Sequence, residues 1–272
     1  MRRPAVSPTL PDITSRRHPL VQAARDARAG GADQPLLLDG WHLLVEAVAA
    51  GLSVDAVVVD RPPSEATAAR ALDALTKGGA QVMRASADLL QAMSPVRTPS
   101  GVVALARRPE MSLTRVFAAA PAFVLAAVDV QDPGNMGALV RTAEAAGATG
   151  VVAVGASADP LGWKALRASM GSAFRMPLAR VDAIGAVVDA ARAVRSAVVA
   201  LVPRDGAAPD AIDAGRPVLL VMGGEGAGLP REVVARADLA VTLPMRPPVE
   251  SLNVAVAAGL ALYAVAARRP AR

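Results

Sequence analysis

The chain has 272 residues, 53% of them hydrophobic, which is enough to build two domains of ordinary size or one large domain. It contains no cysteine, which excludes disulfides, thiolate metal sites and cysteine nucleophiles and fits a cytoplasmic protein. With two histidines it is poorly supplied for a histidine metal site or a Ser-His-Asp triad, so no metal site is expected.

The first half of the chain alternates between helical and strand patterns. A polar helix is predicted over 14–29, capped by Thr14 or Ser15 and ended by Gly30 and Gly31. Further helical patterns cover 41–51 and 64–77, and strands are predicted over 54–60, 80–85 and 101–108. This alternation predicts a small α/β domain.

A stretch that contains proline and alanine near 109–122 separates the two halves, so we place the domains at 1–112 and 113–272. Residues 1–12 are expected to be flexible. The net charge of +5 is carried almost wholly by arginines, whose planar guanidinium groups suit phosphate. Arginines are frequent in the first thirty residues, where they indicate either a basic arm that touches phosphate or a solvated tail.

The second half alternates more regularly. Strands are predicted over 122–130, 150–155, 196–202, 217–223 and 239–244, and helices over 135–147, 160–171, 182–195, 230–237 and 251–268. Strands that are apolar on both faces predict a parallel sheet covered by helices on both sides. The longest apolar run, Val254–Ala267, is shorter than the about 20 residues that span a bilayer, which favours a buried helix.

Three segments of the second half carry polar residues at the ends of predicted strands, where open α/β sheets place their ligands. In the first, 129–148, Asn135 is a candidate helix N-cap and Arg141 lies in the same helix, an arrangement that suits a phosphodiester or is simply a cap and an ion pair with Glu144 or Asp132. In the second, 218–230, a glycine-dense loop holds Glu225, which fits close approach to a ligand or a tight structural turn.

In the third segment, 243–269, a proline-rich loop leads to Ser251 and Asn253 at the start of a very apolar helix. Capping explains Ser251 well and Asn253 poorly, because an amide in an otherwise apolar helix needs a partner.

The three motifs together, N-x-G-x-x-x-R-T-A-x-x-x-G, G-x-E-x-x-G-L and L-P-M…S-L-N-V-x-V, resemble the SpoU/TrmH family of RNA ribose 2′-O-methyltransferases in the SPOUT superfamily. The resemblance spans 124–268. The segment RASMGSAFRMP at 167–177 is similar to the family's link between the first two motifs, and the first hundred residues more loosely resemble an attached RNA-binding α/β domain of ribosomal-protein type.

The resemblance implies an α/β fold with a parallel sheet and a C-terminal trefoil knot, a homodimer through the closing helix, and methyl transfer from S-adenosylmethionine to a ribose hydroxyl, with ribosomal RNA favoured over transfer RNA. It implies catalytic or positioning roles for Asn135, Arg141, Glu225, Ser251 and Asn253. It implies cofactor contacts at Met222, Gly223, Gly224, Leu243, Met245 and Leu252. RNA contacts are expected at Arg16, Arg17, Arg141 and Arg167.

Two departures from the family pattern are Pro247–Pro248, where a small glycine is usual, and Ala255 in SLNVAV. Three alternatives stay open: a non-catalytic RNA-binding protein of the same fold, a small-molecule or nucleotide-binding α/β enzyme of Rossmann type, and a drug-resistance ribosomal methylase. The Rossmann alternative is disfavoured because the glycine-rich loop comes late in the chain and lacks the full dinucleotide fingerprint.

Overall fold

The structure is a computed structural model that describes residues 10–31, 33–226 and 228–269. The chain divides into two compact units, 1–109 and 110–272, close to the boundary expected after residue 112.

The first unit is built on a five-stranded mixed sheet with the order β1-β4-β3-β5-β2. Strands β1, β4 and β3 run parallel, and β5 runs antiparallel to both β3 and β2. Its elements are β1 (Asp12–Ile13), α1 (Pro19–Ala29), β2 (Leu36–Asp39), α2 (Trp41–Ala49), β3 (Val54–Val59), α3 (Ala66–Lys77), β4 (Gln81–Ala85), α4 (Ala87–Met93) and β5 (Val102–Ala106).

The N-terminal end of this unit differs from the prediction in two ways. Helix α1 begins at Pro19 and not at residue 14, because proline suits the first helical position and His18 Nδ1 accepts the N–H of Leu20 at 3.2 Å. Asp12, within the segment expected to be flexible, lies in β1 and forms an ion pair with Arg84 at 2.7 Å. The rest of that expectation, over residues 1–9, falls outside the described residues.

The second unit is built on a six-stranded sheet with the order β11-β9-β10-β6-β7-β8, in which every paired strand is parallel. Its elements are α5 (Leu113–Val116), β6 (Phe123–Val128), α6 (Pro133–Ala145), β7 (Gly150–Val154), α7 (Trp163–Ser169), α8 (Ser172–Arg175), β8 (Leu178–Val181), α9 (Ile184–Ala193), β9 (Ala197–Leu201), β10 (Val218–Gly223), α10 (Arg231–Val234), β11 (Leu239–Val241) and α11 (Val254–Ala266).

Helices cover both faces of this sheet. Val124, Ala126 and Val128 of β6 pack in one core with residues of α5 and α9, and α6 and α11 contact β7 and β10. Every residue of β6 and β7 is buried, so these strands are apolar on both faces. The predicted parallel sheet is confirmed.

Candidate functional site

Four strands of the parallel sheet end along one edge and supply the residues of the candidate site. Asp129 follows β6, Gly223 ends β10, Pro203 lies just beyond β9, and Leu243 lies just beyond β11. Strands β6 and β10 are neighbours although they are remote in the chain, so the sheet order changes direction between them. Ligand crevices in open α/β sheets form at such a point.

A pocket of about 230 Å³, called here the apolar pocket, opens at this edge. All six residues predicted to contact a cofactor line it: Met222, Gly223, Gly224, Leu243, Met245 and Leu252. Sequence reasoning missed further lining residues, namely Leu201, Val202, Pro203, Gly226, Gly228, Val241, Val254 and Ala257. The sequence contains a signal only for the missed residues that flank the motifs. The residues at the end of β9 have none, because the position of β9 between β10 and β11 is a property of the fold.

The glycine-dense loop packs too tightly for side chains at two positions. A Cβ on Gly223 would overlap the backbone of Gly228, and a Cβ on Gly224 would overlap the carbonyl oxygen of Asp129. The N–H of Gly224 donates to the carbonyl of Val128 at 2.8 Å, which extends the β6–β10 pairing into the loop. Glycine is therefore required at both positions, because a side chain would force the loop away from the backbone against which it packs.

Three polar side chains, one from each sequence motif, form a connected network beside the apolar pocket. The Nδ2 of Asn135 donates to Glu225 Oε1 at 2.7 Å. The Nδ2 of Asn253 donates to the same oxygen at 3.1 Å and to Asn135 Oδ1 at 3.1 Å. Residues 135, 225 and 253 thus meet although they are remote in the chain.

The helix caps differ from the sequence predictions, and the difference explains the network. The cap of α6 is Asp132, whose Oδ1 accepts the N–H of Asn135 at 2.7 Å, so the prediction of Asn135 as cap is wrong. The cap of α11 is Asn253, whose Oδ1 accepts the N–H of Ala255 at 2.9 Å. Ser251 lies before the helix, exposed on the lining of the apolar pocket, and not at the helix start as predicted.

Arg141 is exposed on α6 and does not line the apolar pocket. It is six residues beyond Asn135, about 9 Å along the helix axis. The two acids considered as its partners are otherwise engaged, since Asp132 caps α6 and Glu144 pairs with Arg175 at 2.6 Å. Within the described part of the chain, the side chain of Arg141 has no hydrogen bond or ion pair.

The other expected RNA contacts are placed on two units. Arg167 is exposed on α7, the helix that packs most extensively against α6. Arg16 and Arg17 are exposed in the first unit, between β1 and α1.

A second cavity of about 480 Å³, called here the acidic cavity, adjoins the apolar pocket and shares Gly224, Glu225 and Gly228 with it. Its other lining residues are Asp129, Val130, Gln131, Asp132, Asn135 and Pro230. Glu225 of the polar network therefore lies on the lining of both spaces, one mainly apolar and one rich in hydrogen-bond acceptors, and Asn135 lies on the lining of the second.

The described residues contain no group of three or more histidine, aspartate or glutamate side chains placed to hold a metal ion. Among the same residues, no helix has the length and apolar character needed to cross a bilayer.

Comparison with known proteins identifies the family. A model described as the SpoU rRNA Methylase family matches residues 122–263, which include all the residues of the polar network. The chain belongs to the SpoU rRNA methylase family. A relative from Bacillus subtilis (strain 168), named 23S rRNA (guanosine(2553)-2′-O)-methyltransferase RlmP, is 34% identical over 230 residues, which cover 84% of this chain and 86% of the relative.

Solved structures of SpoU-type methyltransferases have the same fold along nearly the whole chain. An AdoMet-bound rRNA methyltransferase from Sinorhizobium meliloti is 28% identical with a TM-score of 0.81, covering 93% of this chain and 96% of its own. The SpoU methyltransferase AviRb from Streptomyces viridochromogenes, in complex with AdoMet, is also 28% identical with a TM-score of 0.81, covering 92% of this chain and 98% of its own. The likeness therefore includes the first unit as well as the matched domain.

Proposed function

We propose that this protein transfers the methyl group of S-adenosylmethionine to a ribose 2′-hydroxyl of ribosomal RNA. The observation that carries the proposal is the apolar pocket joined to the Asn135–Glu225–Asn253 network within a SpoU methylase domain. The relative RlmP is named for guanosine 2553 of 23S ribosomal RNA, which makes 23S RNA the first substrate to test, with transfer RNA as the comparison.

The apolar pocket fits the cofactor by its chemistry. Its leucine, methionine and valine side chains suit an adenine ring, and the backbone groups of Gly223, Leu243 and Leu252 can bond the polar edge of that ring. The carboxylate of Glu225 lies on the lining, where its negative charge complements a sulfonium. When bound, S-adenosylmethionine supplies an electrophilic methyl group.

The chain's own residues then have to position the ribose and accommodate the proton of its hydroxyl. We assign Asn135 and Ser251 to holding the ribose and its phosphate, with Asn253 and Glu225 fixing their orientation. Arg141 binds the RNA phosphate next to the reacting ribose and offsets the charge that develops on the 2′ oxygen. A guanidinium stays protonated, so this electrostatic role suits it better than that of a base.

The test of this function is methyl transfer from labelled S-adenosylmethionine to ribosomal RNA, followed by mapping of the modified ribose. We expect Arg141→Ala to lose turnover and to keep its affinity for S-adenosylmethionine. The matched control is Arg115→Ala, an exposed arginine of α5 on the opposite face of the sheet. Normal methylation by Arg141→Ala would refute its role, and no cofactor binding at millimolar concentration would favour a non-catalytic RNA-binding protein.

We propose that the first unit binds RNA through one edge of its sheet. The carboxyl ends of β1, β4, β3 and β2 and the start of β5 all lie at this edge. Four exposed arginines sit in its loops and are called here the basic edge: Arg16, Arg17, Arg61 and Arg97. Arg61 faces Asp60 at 3.9 Å, while the other three have no ion-pair partner in the described residues.

The loop that carries Arg97 is fixed by hydrogen bonds to the neighbouring strands and loops of the first unit. Ser94 donates from its hydroxyl to the buried carboxylate of Asp39, and the carbonyls of Gly101 and Val102 accept the N–H groups of Asp60 and Gly40. A loop tied at both ends presents its arginine with little loss of conformational entropy on binding. Phosphate contacts from such a surface would position the RNA without reading its sequence.

We also propose that the protein is a homodimer and that its C-terminal part forms the trefoil knot of its family. We further propose that it acts in the cytoplasm, where ribosomal RNA is found. The dimer is supported by Val256, Leu260 and Tyr263, which are 51–52% exposed and lie at helical spacing on one face of α11. The knot is supported by the path of the chain, which leaves β11 at the sheet margin and returns to pack α11 against α6 and β10.

A further inference from the structure

A bidentate ion pair lies one helical turn beyond Arg141 on α6. Glu144 accepts from Arg175 Nε at 2.6 Å and from Arg175 Nη2 at 2.9 Å, so both of its carboxylate oxygens are engaged. The pair is half-buried, with 29% of the Glu144 side chain and 41% of the Arg175 side chain exposed. The hydrogen bond from Arg175, helped by the Ser172 hydroxyl, holds the pKa of Glu144 below its usual range despite partial burial.

The position of Glu144 makes this pair important for Arg141. Side chains three residues apart on a helix are neighbours, and oppositely charged ones attract each other. An unrestrained Glu144 would therefore pair with Arg141 or repel an RNA phosphate that approaches it. In the structure Glu144 is turned to Arg175, and Arg141 has no partner among the described residues.

The fold brings Arg175 to this place through a tight turn. Met170 and Gly171 both adopt left-handed backbone angles, with φ of 52° and 90°, and form the two-residue link between α7 and α8. Both short helices contact α6, so Arg175 at the end of α8 reaches Glu144.

We propose that Arg175 is a positioning residue for methyl transfer, which sequesters the Glu144 carboxylate and thereby keeps Arg141 available to the RNA phosphate. This inference rests on the proposed function, because it assigns Arg141 to the RNA. Arg175 acts through Glu144 and does not itself touch the reacting atoms.

The experiment is a rescue. Arg175→Ala should raise the KM for RNA about three- to tenfold, the effect of one unpaired carboxylate next to a phosphate-binding cation, with S-adenosylmethionine affinity unchanged. Glu144→Gln alone should keep the wild-type KM for RNA. The double variant Arg175→Ala/Glu144→Gln should return the KM for RNA to within about twofold of wild type, because the interfering charge is gone.

Two results would overturn the inference. The first is an unchanged KM for RNA in Arg175→Ala. The second is a double variant as impaired as the single one, because it would mean that Arg175 binds RNA or only supports the fold. If Arg175→Ala does not fold, Arg175→Met, which keeps an unbranched side chain but neither the charge nor the donors, is measured with the same expected rescue. Methylation of RNA by the wild-type protein is measured first and tests the proposed function separately. If the wild-type protein does not methylate RNA, the proposed function is wrong. If it does, the variants test only the role of Arg175.

Discussion

The side-chain amide of Asn253 has two roles, one for its oxygen and one for its nitrogen, and substitutions can separate the two roles. Its Oδ1 caps α11, and its Nδ2 donates to Glu225 and Asn135. Asn253→Ala removes both roles, whereas Asn253→Asp keeps a capping oxygen but cannot donate and adds a second negative charge beside Glu225. We therefore expect the alanine variant to lose stability and activity, and the aspartate variant to lose activity alone.

The magnitudes follow from the type of interaction. Loss of the cap costs about 0.5–2 kcal/mol, which for a unit of this size lowers the Tm by about 1–8 °C. A hydrogen bond to a charged group contributes about 1.5–3 kcal/mol. Because Glu225 and Asn253 are exposed, the lower end applies, so both variants should lose about tenfold in kcat/KM.

The assay pairs thermal unfolding with methyl transfer to ribosomal RNA, each measured on wild type and both variants. Asn253→Asp should unfold near the wild-type Tm and methylate about tenfold more slowly. Wild-type turnover by this variant would show that the hydrogen bonds to Glu225 have no part in the reaction. Loss of activity that strictly followed the loss in Tm would reduce Asn253 to a cap.

Four further predictions concern other parts of the molecule. Gly223→Ala should weaken S-adenosylmethionine binding by about 5- to 150-fold in calorimetry, since the new Cβ overlaps backbone across the loop and such overpacking costs about 1–3 kcal/mol. Unchanged affinity would refute the assigned pocket. Alanine at the four positions of the basic edge should weaken RNA binding. The slope of the logarithm of the binding constant against the logarithm of the salt concentration should fall by about one unit for each phosphate that is no longer bound. Alanine at Lys77 and Arg107, at the opposite edge of the same sheet, should have neither effect. Leu260→Arg should yield monomers in light scattering, and a dimer that persisted would exclude this face of α11. Because Arg175 lowers the pKa of Glu144 in the folded state, their pair stabilises the protein above the unfolded pKa near 4.5 and ceases to do so as the pH falls through the folded value; the Tm difference between wild type and Glu144→Gln should therefore vanish in acid, and a difference that grew in acid would contradict this assignment.

The parallel sheet of the second unit could be predicted because its strands are buried on both faces. A strand such as β7, whose five residues are all buried, has few alternatives between the helices predicted over 135–147 and 160–171. The short elements gave no such signal. Helices α5 and α8 have four residues each, and β1 has two, so no periodicity develops within them.

The order of the strands could not be predicted from local patterns, and part of the site was missed for that reason. Pro203 and Val241 line the apolar pocket only because β9 lies between β10 and β11. The motifs supplied the residues that come from the loops after β10 and β11. Nothing in the neighbourhood of Pro203 distinguishes it from a residue in an ordinary loop.

Two helix starts were predicted wrongly although the sequence contains the signal that places them. Both α1 and α6 have proline at their first position, and the residue before that proline is the cap, His18 in one helix and Asp132 in the other. Proline at the first helical position therefore deserves more weight here than the residue type of the cap, because its fixed φ and missing N–H suit that position alone.

The corrected caps change the physical account of the site. A side chain that caps its own helix has its oxygen committed to the backbone, so an Asn135 at the cap could still donate through Nδ2 but would not have its Oδ1 free to accept from Asn253. Asp132 takes over the cap of α6 and leaves both ends of the Asn135 amide free for Glu225 and Asn253. In α11 the cap contributes to the network. Because Asn253 Oδ1 is held by the backbone of α11, the direction in which Nδ2 must donate is fixed. The geometry of the network is thus set by where two helices begin, and substitutions that shift either helix start should impair methyl transfer even when every polar residue of the site is retained.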